Sequence, residues 1–444
     1  MKPALYIILD LLIVFGSILL AYSLLFQLEM LENFDRNFQA FQIITPFIGI
    51  FYLILMYIFG LHNVTRKTVN ELIYTIFLIS ILMAVGIMGI SFFAREAALA
   101  FPRSVILLST LFYFVLLSFE RLLIVFISRK LHGIKKITII GDRDSKIFEA
   151  LENKYQGHYK IENRCTDFDI STDFEAIIKC VDEIFISTDI PQKIRGKILA
   201  LSIKYKKEVF FVPEYYDLSI MASTFDKTND LPTYRINRLE LAPEDEFVKR
   251  VVDIVLASVV LLIALPFCLI AALLIKLDGG SALYSQERLT KHNKPFKMLK
   301  FRTMIPDAEK FSGPVLAGAD DPRITKTGKF MRTVRIDEMP QLINIFKGEM
   351  SFVGPRPERP FFVERFEREI PEYHYRSVVK AGLTGLAQVE GKYNTSVENK
   401  LRYDLIYINK YSLWQDFLII LRTIKILFTK SSTEGVKRPT KMKI

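Results

Sequence analysis

Long apolar runs alternate with short polar connections along the first third of the chain. Each run contains about 20 mostly apolar residues, and as a helix it is long enough to cross roughly 30 Å of hydrocarbon. The four runs are Ala4–Phe26, Phe41–Leu61, Leu72–Phe93 and Ser104–Ile127. The pattern therefore predicts a four-helix transmembrane bundle. We expect the first helix to remain as an anchor, because its apolar run is too long for a signal peptide.

An acidic residue, Asp10, interrupts the first apolar run. Charged side chains inside a membrane are costly, and they usually have a function or a partner. Two interpretations fit Asp10: an interfacial carboxylate close to the end of the helix, or a functional acid within the membrane. The sequence favours the first and leaves the second open.

Lysine and arginine are unevenly distributed at the ends of these runs. One side has seven basic residues, Lys2, Arg66, Lys67, Arg129, Lys130, Lys135 and Lys136, and the other has three, Arg36, Arg95 and Arg103. Cytoplasmic flanks are enriched in such residues. We therefore expect the N-terminus and everything after Ile127 to lie in the cytoplasm.

Short β-rich runs separated by helical segments follow Lys136. The strand-like runs are ITIIG, DEIFIST and EVFFVP, at 137–141, 182–188 and 208–213. Strands that alternate with helices predict a Rossmann-like parallel α/β domain, over residues 132–240. A dinucleotide-binding turn after the first strand needs three glycines, but GDRDS contains only Gly141. This favours a regulatory or assembly module, with a nucleotide-dependent oxidoreductase or dehydratase as the alternative.

A fifth apolar run, Val251–Ile275, has the length of another span. Lys249 and Arg250 precede it and Lys276 follows it, so both flanks have cytoplasmic character. Pro266 lies near its middle, where the missing N–H bends or breaks a helix. These features predict a re-entrant membrane helix, with a plain crossing as the alternative.

The composition agrees with a membrane protein that binds anionic ligands. Hydrophobic residues make up 51% of the 444 residues, and the formal net charge is +11. Inner-leaflet lipid, phosphate substrates and the charged flanks account for the basic excess, so we expect no nucleic-acid binding. Three cysteines and five histidines without paired spacing predict neither disulfides nor a zinc site.

Asp337 and Glu338 stand side by side at the predicted start of an amphipathic helix. Carboxylates are common helix caps, because unpaired N–H groups and the helix dipole favour them there. The flanks indicate chemistry as well: Arg332 and Arg335 lie just upstream, and Arg356 lies between two prolines that stiffen its backbone. A guanidinium held in this way binds phosphate with two parallel hydrogen bonds. One carboxylate of the pair would attack phosphorus and form an acyl phosphate, while the other holds a divalent cation.

A basic segment, KMLKFRTM, precedes this region. If it is a strand, Lys300 and Arg302 lie on one face, because residues two apart share a face. Two cations on one face form an anion site, so we assign phosphate contacts to both. A solvated basic edge strand is the alternative.

Four blocks of the C-terminal half resemble one family. They are KFRTM, DPRITKTGKFMR, DEMPQLINIFKGEMSFVGPRPE and GLTGLAQVEGK, at 300–304, 321–332, 337–358 and 382–392. The blocks look like the catalytic domain of bacterial polyprenyl-phosphate hexose-1-phosphate transferases, the initiating phosphoglycosyl transferases of polysaccharide assembly. The four spans and the α/β module resemble the large members of that family. The resemblance implies a transmembrane domain at 1–131, the Rossmann-like domain at 132–240, and a re-entrant helix with a mixed α/β catalytic domain at 241–444.

The resemblance also implies a reaction. A sugar 1-phosphate would pass from a UDP-sugar to undecaprenyl phosphate, with release of UMP, through a covalent phosphoryl-aspartate. Asp337 would be the nucleophile, Glu338 with Asp337 beside it would hold Mg²⁺, and Arg356 and Arg332 would belong to the phosphate pocket. The transfer would be the first membrane step of exopolysaccharide, capsule or O-antigen synthesis, with glucose or galactose as the first sugars to test. The alternative is a non-catalytic membrane scaffold or sensor of polysaccharide assembly.

The same resemblance places the chain in the bacterial inner membrane, as a homo-oligomer in contact with lipid and with its catalytic domain on the cytoplasmic face. Lys249, Arg250 and Pro266 match the family's re-entrant helix, although Leu265 stands where serine is usual. Leucine has no hydroxyl to support a bend, so the prediction of a re-entrant helix rests on Pro266 and on the flanking charges.

Two further departures lie in the last block, where Ala381 and Leu386 replace the usual proline and tryptophan. Beyond it, residues 411–430 mix aromatic, aliphatic and basic side chains. This mixture predicts an interfacial helix, with a core helix that has a basic edge as the alternative.

Overall fold

The structure of the chain is a computed structural model. It describes residues 3–28, 34–62, 64, 67–93, 102–141, 159–166, 172–188, 190–236, 239–277, 279, 281–305, 321–391 and 395–427. Lys2, Arg66, Arg95, Lys392, the turn residues 142–145 and the tail residues 428–430 lie outside the described residues. The chain forms two compact units, Met1–Val212 and Pro213–Ile444.

Four long helices begin the first unit, and each corresponds to one predicted apolar run. They are α1 (Pro3–Gln27), α2 (Phe34–Ile58), α3 (Val69–Phe93) and α4 (Arg103–His132). Helix α4 packs against both α1 and α3. All four helices are long and apolar enough to cross a membrane, as is one helix of the second unit. The predicted class of α/β membrane protein is therefore confirmed for the described part of the chain.

A buried ion pair joins α1 to α4. Asp10 Oδ2 lies 2.5 Å from Arg121 Nη2 and accepts a hydrogen bond from the Tyr52 hydroxyl at 2.8 Å. Arg121 also binds the neighbouring Glu120, with Nη1 at 2.7 Å from Oε2. Asp10, Arg121 and Tyr52 have no exposed surface. Asp10 is thus enclosed between helices rather than open to the interface, and its partner lies in the fourth predicted span.

A parallel sheet completes the first unit. Its strands are β1 (Lys135–Ile140), β2 (Tyr159–Cys165), β3 (Glu183–Ile186) and β4 (Glu208–Phe211), in the order β2-β1-β3-β4 with every pairing parallel. Helices α5 (Phe174–Lys179) and α6 (Gln192–Lys204) connect successive strands and pack on the buried isoleucines of β1 and β3. The predicted parallel α/β arrangement is confirmed.

The second unit contains the remaining elements. It begins with α7 (Tyr215–Met221), the hairpin of β5 (Thr224–Thr228) and β6 (Leu231–Arg235), the long helix α8 (Pro243–Leu277), and a second hairpin of β7 (Leu283–Leu289) and β8 (Pro295–Phe301). The later helices are α9 (Lys326–Thr333), α10 (Gln341–Lys347), α11 (Pro360–Glu369), α12 (Leu386–Glu390), α13 (Val397–Asn409) and α14 (Leu413–Leu427). Strand β9 (Ser351–Val353) pairs in parallel with β10 (Gly382–Thr384), and three 3₁₀ segments cover Lys291–Asn293, Ile336–Glu338 and Pro371–Val378.

Helix α7 packs against α13, within the second unit. The sequence-based division assigns α7 to the domain at 132–240. In the structure the second unit begins at Pro213 and includes α7. The three predicted domain limits remain predictions.

Both ends of α8 are bound to the second unit. Near the first end, Lys249 forms an ion pair with Asp416, and Arg250 donates to the Phe346 carbonyl at 2.7 Å. At the other end, Arg302 donates to the carbonyl of Ile275 at 3.3 Å. A helix that crossed the membrane would separate its two ends by the whole hydrocarbon layer. Helix α8 nevertheless continues through Pro266 without a break, so the re-entrant path remains a prediction that rests on these contacts.

The middle of α8 presents apolar side chains to its surroundings. Pro266 lies in this stretch, and the exposed residues around it include Leu262, Ile263, Phe267, Leu269, Ile270 and Leu273. An exposed apolar surface of this kind is unfavourable in water and favourable in lipid. The stretch between the two bound ends is thus suited to entering a membrane.

Candidate active site

The basic strand β8 and helix α10 form the scaffold of the site. Asn344 on α10 has no exposed surface, and its side chain joins the two elements. Its Oδ1 accepts from the Leu299 backbone N–H at 3.0 Å, while Nδ2 donates to the Lys297 carbonyl at 2.8 Å and to Glu349 at 2.6 Å. This asparagine fixes the strand that carries Lys300 against the helix that follows the carboxylate pair.

The carboxylate pair lies on a 3₁₀ turn, Ile336–Glu338, rather than at the N-cap of an α-helix. The expected cap position is wrong for a local reason. Pro340 has no N–H and cannot donate to the Ile336 carbonyl, which instead accepts from Met339 N at 3.1 Å. Helix α10 begins only after Pro340, and it ends at Gly348, whose φ of 82° is typical of a helix C-terminus.

Two cations hold Glu338. Its Oε1 lies 2.9 Å from Lys300 Nζ and 2.7 Å from Arg356 Nη2. Burial alone would raise the pKa of Glu338, but the charges of Arg356 and Lys300 outweigh it and keep the pKa well below the ordinary value. Glu338 is therefore ionised and orients two of the predicted phosphate-binding side chains.

Asp337 is in a different environment from its neighbour. It is 8% exposed, and its Oδ1 has no hydrogen-bond partner among the described residues. Burial and the adjacent charge of Glu338 raise its pKa, against the opposing charges of Lys300 and Arg332. A buried carboxylate oxygen without a donor is costly in isolation. This oxygen therefore lacks a donor among the described residues, which is compatible with a bond to a phosphorus atom or to a metal ion.

The other predicted site residues separate into two groups. Arg332 lies with the pair: its Nε donates to Thr303 Oγ1 at 2.9 Å, and its charge acts on Asp337. The described contacts of Arg302 are instead with the end of α8, at the carbonyls of Ile275 and Gly279. Strand β8 ends at Phe301, so the alternation that placed Arg302 beside Lys300 does not extend to it. A phosphate contact by Arg302 remains a prediction.

The carboxylate pair suits one kind of magnesium site. No group of three or more His, Cys, Asp or Glu side chains suited to a metal occurs among the described residues. Mg²⁺ nevertheless binds often through one or two carboxylates, with substrate phosphates and water completing the octahedron. The unpartnered Oδ1 of Asp337 beside Glu338 fits an ion of that kind. It does not fit a metal enclosed wholly by protein ligands.

The glycines of two motifs explain how the GPRP segment is packed. Gly354 N donates to the Thr384 carbonyl and Gly382 N to the Pro355 carbonyl, each at 2.9 Å. A Cβ on Gly354 would lie 2.4 Å from the Lys380 carbonyl oxygen, and one on Gly382 would lie 2.1 Å from Gly354 N. Only glycine permits this close contact between the two segments.

Ala381 stands where the resemblance implies a proline, and it has the N–H that proline lacks. It donates to Thr290 Oγ1 at 3.2 Å, while its carbonyl accepts from Ser351 N at 2.9 Å. The substitution therefore adds a bond between the β7–β8 hairpin and β10.

Sequence reasoning missed the groups that support β9. Asp253 of α8 is buried, and its Oδ1 accepts from Ser351 Oγ at 3.0 Å and from Phe352 N at 2.9 Å. The Tyr407 hydroxyl of α13 lies 3.3 Å from the Val353 carbonyl. An acid within a membrane-helix pattern was a signal for Asp253, but nothing in its spacing identified strand β9 as its partner.

Comparison with known proteins gives one family. The sequence matches the family described as "Bacterial sugar transferase" over residues 244–430. The UDP-glucose:undecaprenyl-phosphate glucose-1-phosphate transferase of Caulobacter vibrioides is 41% identical over 189 residues, which are 41% of this chain and 70% of that protein.

Two longer relatives are similar over less of their length. The UDP-N-acetylgalactosamine-undecaprenyl-phosphate N-acetylgalactosaminephosphotransferase of Aeromonas hydrophila is 40% identical over 207 residues, 46% of this chain and 49% of that protein. The undecaprenyl-phosphate galactose phosphotransferase of Salmonella typhimurium is 31% identical over 246 residues, 52% of this chain and 51% of that protein. The matches thus span about half the length of these two relatives.

Proposed function

Because the chain belongs to the bacterial sugar transferase family, we propose that it transfers a sugar 1-phosphate from a UDP-sugar to undecaprenyl phosphate and releases UMP. The observation that carries the proposal is the unequal pair: Asp337 has an unpartnered buried oxygen, while Glu338 beside it is ionised and bound to two cations. The names of the relatives describe transfers of this kind, with glucose, galactose or N-acetylgalactosamine as the sugar.

In the first step, a carboxylate oxygen of Asp337 attacks the phosphorus that bears the sugar. The bond from this phosphorus to the bridging oxygen breaks, and UMP leaves with the electron pair. The product is a sugar phosphate bound covalently to Asp337 as an acyl phosphate. In the second step, an oxygen of undecaprenyl phosphate attacks the same phosphorus, and the Asp337 carboxylate is released.

The cations around the pair serve both steps. Arg356 and Lys300 are oriented by Glu338, and a planar guanidinium suits two oxygens of one phosphate. Positive charge held in place before the reaction stabilises the charge that develops on phosphorus and on the leaving oxygen. Asp337 and Glu338 would hold Mg²⁺, which neutralises phosphate oxygens when it is bound.

The membrane setting follows from two apolar surfaces of the second unit. One is the exposed middle of α8, and the other is α14, on which Trp414 and Phe417 are exposed and stacked at 5.4 Å between ring centroids. Aromatic side chains next to charged ones suit the headgroup layer, where the phosphate of a polyprenyl carrier lies. We place the catalytic unit on the cytoplasmic face of the inner membrane, at the first membrane step of exopolysaccharide, capsule or O-antigen synthesis. Homo-oligomerisation remains a prediction.

The test is an assay of the purified full-length protein with Mg²⁺, undecaprenyl phosphate and UDP-glucose, UDP-galactose or UDP-N-acetylgalactosamine. We expect UMP release with at least one donor, loss of release with EDTA, and recovery when Mg²⁺ is restored. Asp337→Asn should abolish release, while Asp226→Asn on the exposed β5–β6 hairpin should retain it. Failure of every donor would contradict the proposal and favour the non-catalytic scaffold or sensor.

A further inference from the structure

Arg376 lies behind the GPRP segment, on the 3₁₀ segment Pro371–Val378. Its Nη2 donates to the backbone carbonyl of Arg356 at 2.9 Å. Its Nε donates to Asp404 Oδ2 at 2.9 Å, and its Nη1 donates to the Tyr373 hydroxyl at 3.1 Å. Each of its three nitrogens thus has a protein acceptor, and the side chain is 12% exposed.

The acceptors fix the direction of the Arg376 guanidinium. Asp404 comes from α13 and is 2% exposed, so it is held by the packing of that helix. The Tyr373 ring also lies under the guanidinium, at 5.1 Å from the ring centroid to Cζ. A planar fork restrained on two sides keeps an Nη2 N–H directed toward the Arg356 carbonyl.

The GPRP segment needs such support, because its own backbone offers few hydrogen bonds. Pro355 and Pro357 flank Arg356 and carry no N–H. The Arg356 side chain is 40% exposed, so packing alone does not fix its guanidinium. The bond from Arg376 restrains the Arg356 backbone, while Glu338 binds the Arg356 side chain.

We propose that Arg376 is a positioning residue, which aligns Arg356 with Glu338 and with the substrate phosphate by holding the Arg356 backbone. The inference rests on the proposed transfer reaction. In this proposal Arg376 acts through Arg356 and is not itself a substrate ligand: three of its five N–H groups bind protein acceptors, and its side chain is 12% exposed. Asp404 orients Arg376 and would act through it.

Two variants weaken the support to different extents. Arg376→Lys keeps the charge, but a single ammonium group cannot reach Asp404, Tyr373 and the Arg356 carbonyl together. A displacement of about 1 Å at a substrate-positioning group costs up to about 100-fold in rate. We therefore expect a loss of 10-fold to 100-fold in the kcat/KM of UMP release. Tyr373→Phe removes one acceptor without changing charge, and we expect a smaller loss of about 3-fold to 10-fold.

A double-mutant cycle with Arg356→Lys distinguishes positioning from other roles. If Arg376 acts only through Arg356, each variant should change kcat/KM less than 2-fold when Arg356 is already lysine. If Arg376→Lys and Tyr373→Phe lower kcat/KM by the same factor in the Arg356→Lys protein as in the wild type, the inference is overturned. Such a result indicates a direct substrate contact or a general effect on folding. Arg365→Lys is the matched control: Arg365 forms an exposed pair with Glu369 at 2.8 Å, and we expect no change in turnover.

The cycle separates this inference from the proposed function. Absence of UMP release by the wild-type protein would contradict the transferase assignment. If the wild-type protein is active and both variants, Arg376→Lys and Tyr373→Phe, keep the wild-type kcat/KM, only the positioning role is contradicted. Tyr373→Phe preserves most of the buried contacts, so its result stands even if Arg376→Lys fails to fold.

Discussion

Asn344→Ala should detach the basic strand from the helix that follows the catalytic pair. The substitution removes three hydrogen bonds, to Leu299 N, to the Lys297 carbonyl and to Glu349, at a site without exposed surface. Two of the lost partners are backbone groups of β8. A buried polar group left unpaired costs about 1–3 kcal/mol, so the two backbone groups together give a loss of about 3 kcal/mol in the free energy of unfolding.

Thermal unfolding of the detergent-purified protein measures this loss. For a unit of this size, 1 kcal/mol corresponds to about 2–4 °C, so we expect the melting temperature to fall by about 6–12 °C. UMP release should also fall at temperatures where the variant remains folded, because Lys300 would no longer be held at Glu338. Asn409→Ala is the control: within the described residues its side chain makes one hydrogen bond, to the Leu218 carbonyl at 3.1 Å, so the substitution should cost about 1 kcal/mol. If Asn344→Ala lowers the melting temperature no more than Asn409→Ala, the reasoning about β8 is wrong.

Two further predictions concern buried charges. Arg121→Leu leaves Asp10 buried without its ion-pair partner and should lower the free energy of unfolding by about 3–5 kcal/mol. Adding Asp10→Asn should restore part of this loss. Equal melting temperatures for the single and the double variant would argue against the ion pair. Burial and Glu338 raise the pKa of Asp337 above its ordinary 3.8, so kcat/KM should fall with decreasing pH through a pKa above that value. The pKa of Asp337 is higher in the folded state than in the unfolded state, so its contribution to the free energy of unfolding is complete below the ordinary pKa and is lost as pH rises through the raised pKa. At neutral pH Asp337 therefore adds no stability by this route, and Asp337→Asn should melt no lower than wild type. The described surroundings of Asp337 would be contradicted if kcat/KM fell only at or below the ordinary pKa, or if Asp337→Asn melted at a lower temperature than wild type.

The elements that depend on local pattern were predictable from the sequence. Run length and apolar content identified the four spans, and the alternation of strands and helices identified the parallel sheet. The position of Gly348 at the end of α10 also followed from local rules. These features depend on residues that are near one another in the chain, so their signals lie within one short window.

The features that depend on distant contacts were not predictable. Asp10 was visible as an unusual acid, but Arg121 lies 111 positions further along and is itself within an apolar run. The same applies to Arg376, whose role follows from contacts with Asp404 and with the Arg356 backbone. A single sequence carries no information on which of many charged residues meet in the folded chain.

The sequence predicted several of the charged residues that meet at the site, but it was wrong about part of their geometry. Glu338 and Arg356 lie together with Lys300, as the sequence suggested for a charged pocket. Helix propensity favoured a cap at Asp337, but Pro340 delays the helix and leaves the pair on a tighter turn. This turn gives the two neighbouring carboxylates different surroundings, and the proposed division of roles between them depends on that difference.

The most direct test is mass spectrometry of the protein quenched after incubation with Mg²⁺ and donor UDP-sugar, without undecaprenyl phosphate. We expect a sugar-phosphate adduct on Asp337, its disappearance when undecaprenyl phosphate is added before the quench, and no adduct in Asp337→Asn. An adduct on another residue, or turnover by Asp337→Asn at the wild-type rate, would contradict the assignment of Asp337 as the nucleophile.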